Sequence, residues 1–217
     1  MEPILVKPNV TFEQYKANVE RINLRDAQEA AAKKAAEDAD LTNKTFDLLL
    51  KHETIGGKIN TEPYRDSKKN WTIGIGTLIG DGSDAALKAS PYYNKSIDEA
   101  TAKALADKAI KDKLALSKRL IGPETFDKFS PDLKAHIVSG AYRGDITGSP
   151  KTLNLLKQND FQNAALEYLN NKEYKDAKKA GSGVAARMEE TAAIIKKEKA
   201  PSFQSAVEDR LNQTALP

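Results

Sequence analysis

The chain has 217 residues, of which 40% are hydrophobic and 30% are charged, and its formal net charge is +3. This composition is typical of a globular protein with a sizeable core and excludes an intrinsically disordered chain. The nearly balanced charge argues against dedicated nucleic-acid binding, and the absence of cysteine excludes disulfides and thiolate metal sites.

The N-terminus lacks the features of a targeting segment. Residues 1–10 contain no apolar run long enough for the hydrophobic region of a signal peptide. No stretch of the chain approaches the roughly 20 apolar residues of a membrane span. We therefore expect no signal peptide and no membrane span, so that any work outside the cytoplasm requires another protein for delivery.

The first predicted element is a charged, alanine-rich helix over residues 11–44. Its apolar residues recur at steps of three and four, which indicates one narrow apolar stripe: Phe12, Tyr15, Val19 and Ile22. One interpretation is a solvated helix that lies along the main domain. The other is an adaptor that packs against a partner protein or forms a short coiled coil. We treat residues 1–43 as an N-terminal helical extension.

A second, more apolar helix is predicted to follow from about Phe46 and to end near Glu53, with Gly56 and Gly57 as stop signals. Residues 58–82 then carry the signals of strands and turns. Along residues 72–77 the side chains alternate, which predicts one strand with Thr72, Gly74 and Gly76 on the same face. A face without side chains would let a ligand or another backbone approach closely.

The rest of the chain is predicted to be helical, so the expected fold class is α+β, mainly α. The predicted helix starts are Ser96 with Glu99 as a capping box, Ser130-Pro131, Ser149-Pro150 and Asp160. Another helix follows Gly183 and is expected to end by Pro201, and a last short helix is predicted over residues 202–213. The main domain is placed at 44–200 and a C-terminal tail at 201–217.

Two carboxylates on adjoining elements make the strongest chemical signal. Acid-assisted cleavage of a glycosidic bond needs one neutral carboxylic acid and one carboxylate across a cleft. Glu53 suits the neutral role because the apolar residues around it would remove water from a charge. Asp66 suits the ionised role because it lies in a polar turn, and the hydroxyl of Thr72 is available to help hold a water molecule.

Each of these acids also has an ordinary structural interpretation. Glu53 alone is compatible with a surface carboxylate at a helix end, and Asp66 alone with an Asx-turn residue. Other chemical motifs fail: the zinc motif His-Glu-x-x-His would need histidine at position 56, which is Gly56. The spacing of Gly74, Gly76 and Gly80 misses the dinucleotide-binding pattern. The residues therefore predict neither a metal nor a cofactor.

The order of motifs resembles the active-site signature of the phage-type lysozymes, a family of muramidases. The segments that carry the resemblance are Glu53, then Tyr64-Arg65-Asp66, then Trp71-Thr72-Ile73-Gly74-Ile75-Gly76-Thr77. Weaker matches follow in the same order at 98–100, 137–142 and 183–190. The resemblance covers roughly residues 44–198 and implies a lysozyme-like fold, with a small sheet lobe, a long connecting helix and a helical C-terminal lobe.

The resemblance also implies an activity, which is hydrolysis of the β-1,4 bond between N-acetylmuramic acid and N-acetylglucosamine in peptidoglycan. It makes Glu53 the general acid, and makes Asp66 and Thr72 the residues that position the attacking water. Substrate contacts would come from Tyr64, Gly74, Gly76, Arg143 and Arg187. The enzyme would be an endolysin released from the host cytoplasm through a holin, or a virion-associated lysozyme attached to a virion protein through its N-terminal helix.

Three alternatives and several departures from the family pattern accompany this interpretation. The alternatives are a lytic transglycosylase or a chitosanase of the lysozyme-like superfamily, or a non-catalytic wall-binding protein of the virion. The segment 56–63 is longer than usual for the family, which makes Glu62 a possible substitute for Asp66. Thr77 stands where many members have histidine, and Arg143-Gly144 stands where the family tends to have an amide.

Overall fold

The computed structural model describes residues 11–54, 58–66 and 69–200. Within these ranges it contains nine helices and one three-stranded sheet. The α+β, mainly helical fold class is therefore confirmed. The chain divides into two compact units, residues 1–40 and 41–217. The sequence had placed the end of the extension at residue 43.

The first helix, α1 (Phe12–Glu53), is one continuous element where two helices were predicted. The physical reason is visible in the sequence, because no glycine or proline interrupts the chain between these two residues. In the first unit, the predicted apolar stripe is exposed, with Phe12 76% and Tyr15 63% accessible. From Leu41 onward, α1 contributes apolar side chains to the core of the second unit.

The sheet consists of β1 (Asn60–Arg65), β2 (Trp71–Gly74) and β3 (Thr77–Gly80), in that order and antiparallel throughout. The single strand predicted over residues 72–77 is wrong. A turn at positions 75 and 76 reverses the chain, so that Ile73 pairs with Thr77. Gly74 and Gly76 have φ values of +67° and +80°, a backbone region that glycine adopts without steric cost.

The remaining helices follow the sheet in chain order. They are α2 (Asp84–Ala89), α3 (Glu99–Ile121), α4 (Pro123–Asp127), α5 (Pro131–Arg143), α6 (Pro150–Lys157), α7 (Phe161–Tyr168), α8 (Lys172–Lys179) and α9 (Gly183–Lys197). The long helix α3 contacts α4, α5, α6 and strand β2. Its buried face repeats every third or fourth residue at Ala102, Ala106, Ile110 and Leu114, which places α3 at the centre of the core.

The N-cap residues of four helices can be compared with those predicted from the sequence. Ser130 caps α5 by accepting a hydrogen bond from the backbone N–H of Leu133 at 3.2 Å, and Asp160 caps α7, as predicted. The Ser96 capping box is wrong, because α3 is capped by Asp98, which accepts from the N–H of Thr101 at 2.7 Å. Ser149 lies at the start of α6, but its hydroxyl donates to the carbonyl of Asp145 instead.

The last two predicted elements are the helix after Gly183 and a short helix near the C-terminus. Helix α9 ends at Lys197, a few residues before Pro201. The short helix predicted over 202–213 lies outside the described residues. Among the residues that the structure describes, no helix has both the length and the apolar character needed to cross a membrane.

Candidate active site

Glu53 is the last residue of α1, and its carboxylate forms an ion pair with the guanidinium of Arg187 from α9. The same guanidinium nitrogen also donates to the carbonyl of His52 at 3.3 Å. The side chains of Glu53 and Arg187 are 24% and 16% exposed, so the pair is sheltered but not sealed from solvent. The resemblance named Arg187 as a substrate contact. The structure makes it a direct partner of the predicted acid.

A second ion pair joins the same two helices. Glu190, one turn after Arg187 on α9, contacts Nε2 of His52 at 3.1 Å and Nζ of Lys51 at 2.9 Å. Burial lowers the pKa of His52, although the negative charge of Glu190 acts in the opposite direction. Two neighbouring side chains of α9 therefore hold three consecutive residues at the end of α1. Sequence analysis did not predict the contacts of Glu190 with Lys51 and His52, and no local sequence pattern indicates them.

Tyr142 on α5 forms a hydrogen bond to the turn of the sheet. Its hydroxyl donates a hydrogen bond to the carbonyl of Ile75, in the turn between β2 and β3, at 2.9 Å. Burial raises the pKa of the Tyr142 phenol, and the nearby charges of Glu53 and Tyr64 act in the same direction. Sequence analysis quoted Tyr142 only as part of a weak match. The structure shows its hydroxyl bonded to the turn between β2 and β3.

The glycines of the β2–β3 turn do not form an open face. Gly74 is buried, and a Cβ atom added there would lie 3.3 Å from the Cβ of Ala102 on α3. Gly76 is partly exposed and faces the ring of Tyr142, whose Cε1 would lie 3.8 Å from an added Cβ. The close approach that glycine allows is thus made at Gly74 by a helix and not by a ligand.

Thr72 and Tyr64 are opposite residues of the β1–β2 pair. The Thr72 side chain is buried, and its hydroxyl donates to the carbonyl of Tyr64 at 3.2 Å. Its proton is therefore used within the sheet, and the hydroxyl oxygen is left as an acceptor. A role for Thr72 in holding water would depend on that oxygen.

Asp66 follows β1 directly and closes the turn that leads to β2. Its N–H donates to the carbonyl of Asn70 at 3.0 Å, and its Oδ1 accepts from the N–H of Asn70 at 2.8 Å. This is the turn-forming role that the sequence allowed for Asp66. The residue is partly buried, and its Oδ2 also accepts from the side-chain amide of Asn70 at 3.4 Å.

Arg143 has few donors left for a substrate. Its Nε and Nη2 donate to Oδ2 of Asp145 at 2.9 and 2.7 Å, and its Nη1 donates to the hydroxyl of Ser139 at 3.2 Å. Burial alone would lower the pKa of Arg143, but the adjacent Asp145 carboxylate together with other nearby groups raises it. Most of the guanidinium of Arg143, which was predicted to contact substrate, is therefore engaged with Asp145 and Ser139.

The structure thus forms two groups of predicted site residues. Glu53 and Arg187 are in direct contact, while Tyr64 and Thr72 pair across β1 and β2 and Asp66 lies in the turn between these strands. Across the described ranges, no set of three or more histidine, aspartate and glutamate side chains could hold a metal ion. In comparisons with known proteins, the chain matches neither a family model nor a curated protein sequence.

Proposed function

We propose that this protein is a muramidase that hydrolyses the β-1,4 bond between N-acetylmuramic acid and N-acetylglucosamine in peptidoglycan. The observation that carries the proposal is the position of Glu53, which is a partly exposed carboxyl group at a helix end, paired with Arg187. The turn that directly follows strand β1 carries a second carboxyl group, that of the partly buried Asp66. Two carboxyl groups on separate elements are the minimum for glycoside hydrolysis.

In the proposed reaction, Glu53 donates its proton to the glycosidic oxygen as the bond to the anomeric carbon breaks. A water molecule attacks that carbon from the opposite face and gives its proton to Asp66, which inverts the configuration. Thr72 contributes its hydroxyl oxygen as an acceptor for this water. Because the ion pair with Arg187 is made by the carboxylate, Arg187 has to release Glu53 when the sugar binds and the acid takes up its proton.

The test is the clearing of bacterial cells stripped of their outer membrane, followed by analysis of the released fragments. Glu53→Gln keeps the shape of the side chain but cannot supply the proton, so we expect turnover to fall by about 10²–10⁴-fold without loss of the fold. New reducing ends identify a hydrolase, whereas anhydro-muramyl products identify a lytic transglycosylase. Normal clearing by Glu53→Gln removes Glu53 from the reaction.

A matched pair of variants assigns the second carboxylate. Glu62 is exposed on β1, four positions before Asp66, and both acids belong to the same strand and turn. We expect Asp66→Asn to abolish clearing and Glu62→Gln to leave it unchanged. The reverse result transfers the role of the base to Glu62.

Delivery and partners form a second part of the proposal. We propose that the enzyme reaches the cell wall from a host cytoplasm through a holin, or as part of a virion that the N-terminal helix attaches to. The support is the exposed apolar stripe at Phe12, Tyr15, Val19 and Ile22. Replacing these four residues with serine avoids cutting α1, which also carries Glu53. Unchanged association with virions after this replacement excludes the stripe as the attachment site.

A further inference from the structure

Arg65, the last residue of β1, contacts three separate parts of the sheet region. Its Nη1 donates to the carbonyls of Lys69 at 3.1 Å and of Gly82 at 2.6 Å, and its Nη2 contacts Oδ1 of Asp84 at 3.0 Å. The guanidinium carbon also lies 4.4 Å from the centre of the Trp71 ring. A planar fork with several donors can satisfy such a set of acceptors, whereas a lysine ammonium cannot do so while stacked on a ring.

The turn that Arg65 contacts has an unusual backbone. Lys69 has a φ of +66°, a region that side chains other than glycine, asparagine and aspartate rarely adopt. Its N–H donates to the carbonyl of Asp66 at 2.9 Å, so the strained residue belongs to the turn that Asp66 opens. The bond from Arg65 to the Lys69 carbonyl is therefore a contact that favours this conformation over relaxed ones.

Gly82 provides independent evidence that the loop after β3 is pressed against this turn. A Cβ atom added to Gly82 would lie 2.6 Å from the carbonyl oxygen of Lys69 and 3.4 Å from Nη1 of Arg65. No side chain fits there unless the backbone of the turn or the loop moves. Arg65, Lys69 and Gly82 thus form one close contact directly beside Asp66.

We propose that Arg65 is a positioning residue that fixes the direction of the Asp66 carboxylate. Oδ1 of Asp66 accepts from the N–H of Asn70, and Asn70 directly follows Lys69, whose φ is +66°. Arg65 acts through this backbone and does not touch the sugar. The inference rests on the proposed function of Asp66 as the group that receives the proton of the attacking water.

The first test does not depend on activity. Arg65→Met keeps an unbranched side chain over Trp71 but removes every donor, so we expect the amide proton of Asn70 to exchange about tenfold faster or more. Exchange at Ile110, in the middle of α3, should not change. Arg119→Met, at an exposed position of α3, is the matched control and should leave Asn70 unaffected. An unchanged exchange rate at Asn70 in Arg65→Met overturns the contact as a positioning device.

The second test measures turnover of peptidoglycan. We expect Arg65→Met to lower kcat by about tenfold to a hundredfold, with a smaller change in KM, because the misplaced group acts on the reacting water and not on sugar binding. Arg65→Lys keeps the charge but not the fork, so it should restore little of the lost kcat. Full activity of Arg65→Met beside an active wild type overturns the positioning role. An inactive wild type overturns the proposed function instead. The exchange rate at Asn70 then tests, without any activity measurement, whether Arg65 holds the turn in place.

Discussion

The buried pair of Arg143 and Asp145 allows a sharp prediction about stability. Their side chains are only 11% and 3% exposed, and Oδ2 of Asp145 accepts two of the hydrogen bonds of the guanidinium. Asp145→Ala removes two of the three hydrogen bonds of Arg143 described above and leaves only the one to the hydroxyl of Ser139. Removing one partner of a buried ion pair costs about 3–5 kcal/mol in the free energy of unfolding.

For a unit of this size, each kcal/mol lowers Tm by about 2–4 °C, so Asp145→Ala should melt about 6–20 °C below the wild type. The matched control is Asp176→Ala, because Asp176 pairs with Lys172 on the surface, where the two side chains are 63% and 89% exposed. We expect that change to lower Tm far less than Asp145→Ala does, because water screens an exposed pair. Melting followed by circular dichroism and calorimetry gives both values.

A double variant separates an unpaired charge from lost packing. If the cost of Asp145→Ala comes from the uncompensated guanidinium, then Arg143→Met combined with Asp145→Ala should be more stable than Asp145→Ala alone. Equal melting temperatures for Asp145→Ala and Asp176→Ala would refute the reasoning. A double variant less stable than either single variant would show that packing, and not charge, sets the cost.

Two further predictions follow from contacts near the site. Tyr142→Phe removes the donor to the Ile75 carbonyl, so we expect lower kcat with a fold that still melts cooperatively; Tyr174→Phe, which removes a comparable bond to Glu189 on the surface, should leave kcat unchanged. Burial lowers the pKa of His136 from 6.5, so the unfolded chain takes up a proton first as the pH falls. The free energy of unfolding should therefore decrease from pH of about 7.5 to about 5.5, and His136→Gln should make that decrease smaller.

The elements that local chemistry determines were predictable from the sequence. Ser130 caps a helix because its hydroxyl satisfies an amide two or three positions ahead, and Pro131 fits the first turn, so neighbouring residues contain the whole signal. Glu53 ends α1 just before the two glycines that the sequence offers as stop signals. Both features depend on residues close in the chain.

The turn between β2 and β3 shows where pattern analysis fails. The alternating sequence of residues 72–77 fits a continuous strand and also a tight hairpin whose turn lies at positions 75 and 76. Only the positive φ of both glycines, a backbone property, distinguishes the two. A glycine pair flanked by β-branched residues therefore needs the hairpin as an explicit alternative.

The contacts in the candidate site between residues far apart in the sequence could not be predicted from local patterns. Glu190 contacts Lys51 and His52, and Lys51 is 139 positions earlier in the chain. Nothing in the sequence of α9 distinguishes Glu190 from the acidic residue beside it. The Arg143–Asp145 pair has a short sequence separation, but its burial depends on α5 packing into the core. Sequence analysis therefore named Arg143 but could not predict its buried pair with Asp145.

The ion pair of Glu53 with Arg187 has a consequence for the order in which a ribosome makes the chain. The two residues are 134 positions apart, and Arg187 belongs to the last helix of the described ranges. During translation, the carboxyl group leaves the exit tunnel long before its guanidinium partner has been synthesised. A polypeptide that stops before α9 therefore lacks the guanidinium partner of Glu53.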